Sequence, residues 1–103
     1  MTALLCLSTC PDTETAHRIA DALVEERLAA CVNVLPGVRS TYRWQGKVER
    51  ADEVLLLAKT TRDRFPALQA RLVDLHPYEL PELIAVEAGG LPAYVEWIAG
   101  ETR

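Results

Sequence analysis

The chain has 103 residues, of which 50% are hydrophobic and 25% charged, with a formal net charge of −4. Those proportions suit one folded domain over residues 1–103 and are too apolar for a disordered chain. No run of Lys or Arg supplies the phosphate-neutralising term that nucleic-acid binding needs, and no segment approaches a membrane span, so neither partner is expected.

The N-terminal MTALLCLS lacks the basic region of a secretory signal. Cys6, Cys10 and Cys31 make an odd, sparse set that reads as reduced thiols, and a cytoplasmic location follows as the expectation. Their spacing is not CxxC, so the sequence signal of a structural zinc site is missing.

Residues 3–8 (ALLCLS) read as a short apolar strand, ended by Thr9-Cys10-Pro11-Asp12, where Pro and Asp supply turn and capping chemistry. Ala16, Ile19, Ala20, Leu23, Val24 and Leu28 then keep the i, i+3, i+4, i+7 spacing of a helix, with Asp12 or Thr13 as its N-cap. CVNVL (31–35) and VRSTYRW (38–44) read as one strand with a kink or bulge at Pro36-Gly37. Gln45-Gly46 is a hairpin turn into an antiparallel partner from about Lys47 to Lys59. Thr60-Thr61 is expected to cap a second helix that has Pro66 in its first turn, Phe65, Leu68, Leu72 and Leu75 as its apolar stripe, and Pro77 as its end. LIAVEA (83–88) is the fourth strand, Gly89-Gly90 a loop, and Pro92 to Ala99 a short last helix.

The order is βαββαβ with a long β-hairpin and a short C-terminal helix, an α+β sandwich of the ferredoxin-like type. Right-handed crossovers place both long helices on one side of the sheet. The strand Val54-Leu55-Leu56-Leu57-Ala58 is apolar at every position, which fits a sheet covered on both faces, and two helices cover only one. Copies of the chain are therefore expected to cover each other, with the hairpin's unpaired edge available to a neighbour's sheet. The competing expectation is that the C-terminal helix covers the second face.

Three strings now stand together: RLAACVNVLPGVRSTYRWQGKV (27–48), EVLLLAKTT (53–61) and HPYELPE (76–82). With them the chain resembles the CutA divalent-cation tolerance proteins from end to end. The resemblance implies a ferredoxin-like subunit, a homotrimer in the cytoplasm, no obligatory cofactor, and a link to copper and other divalent cations. In that family a Cys at the end of the first strand and paired His residues before Pro-Tyr are proposed copper ligands. Here Ser8 stands at the Cys position, with Cys10 two residues on, and the pair is Leu75-His76. Only His76 carries over directly, and Cys10 is the candidate second ligand.

Cys6 and Cys10 could offer thiolates for Cu(I), but four residues of strand separate them by about 13 Å, so one ion cannot join them without the chain folding back. The plainer expectation for His76 is a place at a helix C-terminus, where a cation suits the dipole. For Cys31 the expectation is simple packing, and Cys10, beside a loop proline, is the expected reactive thiol.

A second set, Tyr42, Trp44, Lys47, Glu53, Lys59, Thr60, Tyr78 and Glu82, would line a cleft between subunits if hairpins cross neighbours. By fold-level analogy with trimeric nitrogen-regulatory signalling proteins, that cleft defines the alternative function, a small-ligand sensor. The competing role for Tyr42 and Trp44 is as interface anchors. No catalysis is expected: the loop after the first strand lacks the phosphate-binding Arg of acylphosphatases, which share this element order, and His17 and His76 offer no dyad with a nucleophile.

Overall fold

The computed structural model describes residues 2–103. Four strands, β1 (Ala3–Cys10), β2 (Cys31–Trp44), β3 (Lys47–Thr61) and β4 (Ile84–Ala88), form one antiparallel sheet in the order β2-β3-β1-β4. Helices α1 (Thr13–Glu25) and α2 (Phe65–Leu75) connect them, and α3 (Pro92–Glu101) follows β4. No helix among the described residues is long and apolar enough to cross a membrane.

The core lies between the sheet and α1 and α2. Leu4, Cys6 and Cys10 of β1 and Val54, Leu56 and Ala58 of β3 pack there against Ile19, Leu23, Leu68 and Leu72, all buried. Asp12 is the N-cap of α1: its Oδ1 accepts from the Thr15 backbone N–H at 2.7 Å. That contact, first of all, holds the Asp12 carboxyl below its ordinary range.

Two strands run longer than their sequence suggests. β1 continues through Thr9 and Cys10, which pair with Leu55 and Val54, because the facing strand is long enough to receive them. β3 continues through Thr61, which pairs with Ala3, so Thr60 and Thr61 are strand residues and the N-cap of α2 is Arg64. Thr60 is fully buried, and its hydroxyl donates to the Leu28 carbonyl at 2.7 Å rather than to a helix end. Leu28, expected on α1, lies beyond it and is held by its own N–H to the Leu23 carbonyl at 2.9 Å.

The hairpin is shaped by two glycine positions. Gln45 (φ 51°) and Gly46 (φ 82°) both sit at positive φ, the requirement of a tight turn whose twist matches the strands. At Pro36-Gly37 the register slips between Leu35 and Val38, with Gly37 at φ 82°, giving the bulge that the sequence indicated. Beyond the bulge β2 and β3 extend past the end of β1 as a two-stranded arm, since β1 stops opposite Val54.

The sheet face away from α1 and α2 is apolar. Directly paired residues share a face, so Leu5, Leu7, Leu35, Leu55, Leu57, Ile84 and Val86 stand together there. Leu35 keeps 40% of its surface in solvent, Val86 47% and Ile84 56%. The helix α3 does not cover this face. It reaches only one end, where Tyr94 meets Lys59, while its Arg27–Glu101 contact ties it to the chain after α1.

Candidate functional site

The segment after α2 wraps past the end of β1 and brings three distant parts of the chain together. His76 is the C-cap of α2, its backbone N–H donating to the Leu72 carbonyl at 2.9 Å. Its ring is buried. Nε2 lies 2.7 Å from the Thr9 carbonyl and 3.9 Å from Cys10 Sγ, and the Tyr78 backbone N–H lies 3.2 Å from Nδ1. A carbonyl can only accept and an amide N–H can only donate, so Nε2 carries the proton and Nδ1 the lone pair.

Cys10 was expected in a loop as the reactive thiol. It is instead the last residue of β1 and fully buried. Burial, then the charges of Asp12 and Glu53, push its thiol up to about 11, and burial does the same to Cys6. A thiol in that state is a poor nucleophile at neutral pH. Cys31 is the half-buried one, directly opposite Lys59 on the uncovered face, with Nζ 3.8 Å from Sγ.

Tyr78 extends the cluster toward the arm. Its ring packs on His76 with centroids 4.7 Å apart, and its hydroxyl donates to Glu53 Oε2 at 2.7 Å. Burial and then this bond to a carboxylate raise the Tyr78 phenol well above its ordinary value. Glu82 follows on the same segment. Its carbonyl accepts from Ser8 Oγ at 2.7 Å, and burial and then the nearby Glu53 charge raise its carboxyl.

The remaining residues of the expected cleft are dispersed in one chain. Tyr42, Trp44, Lys47 and Glu53 share a face of the arm, since Tyr42 pairs with Glu49, Trp44 with Lys47, and Val38 with Glu53. That face continues the apolar face of the sheet through Leu55 and Leu57. Tyr42 contributes to the electrostatic surroundings of Tyr78, whereas Trp44 and Lys47 flank the turn at the far tip. Lys59 lies at the opposite end of the sheet with Nζ 3.4 Å from the Tyr94 hydroxyl. Thr60 faces the helix layer and is closed to a surface ligand. Tyr94 was missed because helical periodicity does not say where a terminal helix docks.

As a metal centre, one chain is incomplete. Cys10 and His76 do meet, but His76 has both ring nitrogens engaged and Cys10 is a protonated thiol. Among the described residues no three His, Cys, Asp or Glu side chains are grouped to hold an ion. A divalent ion takes four or more ligands in most protein sites, so these residues do not fit one within a single chain.

A four-stranded antiparallel sheet with two helices on one face, a long two-stranded arm and a third, C-terminal helix defines an α+β fold. The CutA1 divalent ion tolerance protein family model matches residues 4–101. The divalent-cation tolerance protein CutA of Thermus thermophilus is 53% identical over 97 residues, covering 93% of this chain and 94% of that protein. The human protein CutA is 48% identical over 97 residues, and the chain spans about half its length, 54%. In three dimensions the chain is similar to the crystal structure of CutA from Xylella fastidiosa, with a TM-score of 0.95, 53% identity and 98% of each chain covered. The chain belongs to the CutA1 divalent ion tolerance family. Relatives from Arabidopsis thaliana and rice carry the description chloroplastic.

Proposed function

We propose that the chain works as a non-catalytic homotrimer in divalent-cation tolerance, in the cytoplasm, with copper or another divalent cation taking ligands from more than one subunit. One observation carries the assembly: seven large aliphatic residues from all four strands meet on a sheet face that, among the described residues, α1 and α2 leave bare and α3 reaches only at one end. Each such residue buried adds about 1.5–3 kcal/mol, so a symmetric contact of several holds copies together. Family membership supports the cation role. His76 and Cys10, 3.9 Å apart, are the pair this chain would bring to such a site, and each must first give up its present proton or partner. The three free cysteines are consistent with a reducing compartment. The small-ligand alternative is the less favoured reading, because family membership points to divalent ions instead.

Native mass measurement tests the assembly, and titration of copper and zinc into the reduced protein and its His76→Ala variant tests the cation role. The expected result is a mass of three chains and tighter binding by the unsubstituted protein. A dilute folded monomer removes the first claim, and equal weak binding by both proteins removes the second.

A further inference from the structure

The arm carries a second surface. Arg39, Thr41 and Arg43 of β2 stand opposite Asp52, Arg50 and Val48 of β3, on the face away from Tyr42 and Trp44. All six are exposed. Arg39 and Arg43 are about 13 Å apart along the strand at the usual rise, and Arg50, paired with Thr41, falls between them. Pairing thus gathers three arginines that are scattered in the sequence.

Elsewhere every arginine but the C-terminal Arg103 is committed. Arg18, Arg27 and Arg64 donate to backbone carbonyls, and Arg27, Arg62 and Arg71 pair with carboxylates of other elements. Among the described residues, Arg39, Arg43 and Arg50 have no such side-chain bond or ion pair. Three guanidinium groups against the single carboxylate of Asp52 form a positive strip on a chain whose net charge is −4.

We infer that this strip is a docking surface for an acidic peptide segment of a partner protein. Guanidinium groups bind carboxylates through paired N–H donors, and alternate residues of an extended peptide recur at about 6.6 Å, so acidic residues at alternate positions match the strip. A nucleic acid is the poorer match. Its charge continues past the arm and meets the acidic body of the chain, whereas a short peptide stays within the strip. The face lies opposite the aromatic one, so occupation of either leaves the other open.

Fluorescence anisotropy with a labelled peptide of alternating Glu and Ser tests this at low ionic strength. The comparison set is the full-length protein, its Arg39→Gln/Arg43→Gln/Arg50→Gln variant, and Arg103→Gln as a control outside the arm. The expected result is binding that salt weakens, that falls about tenfold or more in the triple variant, and that Arg103→Gln leaves unchanged. Circular dichroism and native mass establish that the triple variant is folded; if it is not, Arg43→Gln alone is expected to lose about twofold. No binding by the unsubstituted protein, equal binding by the folded arm variants, or tighter binding of a single-stranded oligonucleotide of equal charge overturns the inference.

Discussion

The Tyr78 hydroxyl donates to Glu53 Oε2 at 2.7 Å, joining the segment after α2 to the base of the arm. Glu53 is only 8% exposed, so its carboxylate depends on this donor. The same Tyr78 gives its backbone N–H to His76 Nδ1. One residue therefore couples the arm, the α2 terminus and the end of β1.

Tyr78→Phe keeps the ring and removes the donor. It is expected to lower stability by about 1–3 kcal/mol, the usual cost of leaving a buried acceptor without its partner. Urea denaturation at neutral pH measures it. A midpoint equal to that of the unsubstituted protein would mean that water replaces the hydroxyl without loss.

His76→Ala leaves the Thr9 carbonyl and the Tyr78 N–H without partners beside a buried cavity. The expected loss is about 2–5 kcal/mol, from unpaired polar groups and the lost packing together. The same denaturation series checks it and defines the temperature at which the copper titration of this variant is meaningful. A change under 0.5 kcal/mol, about the level of a neutral surface substitution, contradicts the structural role.

Glu82 gives a pH dependence with a definite sign. Its folded carboxyl titrates above the ordinary 4.5, so the folded state holds the proton more tightly than the unfolded one. This group's contribution to stability is full below the ordinary value and is lost as pH rises through the raised one. Glu82→Gln removes that dependence. The stability of the unsubstituted protein relative to the variant is expected to fall as pH rises from the ordinary value toward neutrality, and parallel curves of denaturation midpoint against pH would falsify it.

The cysteines should separate by reactivity. Cys6 and Cys10 are buried thiols pushed up to about 11, while Cys31 is half-buried. Under native conditions at mildly alkaline pH, alkylation followed by peptide mass mapping is expected to find Cys6 and Cys10 protected until denaturant is added, and Cys31 modified first wherever copies do not cover its face. Early labelling of Cys10 would restore it as the accessible thiol.

Ile84→Lys tests the uncovered face directly. Ile84 is more than half exposed in one chain, so the fold of the subunit tolerates a lysine there, but a face buried between copies does not. The expected outcome is a shift of native mass toward one chain with helix and strand content retained. An unchanged mass argues that another surface holds the copies together.

The element order and the bulge at Pro36-Gly37 were legible because Pro, Gly and hydrophobic period act locally. The ends of β1 and β3 were not, since Thr9, Cys10, Thr60 and Thr61 extend their strands only because facing residues accept their backbone groups. Cys10 illustrates the consequence: a loop reading made it reactive, and two more strand positions buried it. The meeting of Cys10 with His76, 66 residues apart in the chain, and the Tyr78–Glu53 bond had no sequence signature.

By itself the sequence determined the kinds of element, their order, the sharp hairpin turn and the excess of apolar β-residues, all of which follow from nearest-neighbour stereochemistry and side-chain period. Which thiols are shielded, which histidine nitrogen holds the proton and which arginines line one side of the arm were decided only by tertiary structure. Those properties depend on strand register and on where the segment after α2 crosses the sheet, and both are relations between residues far apart in the chain.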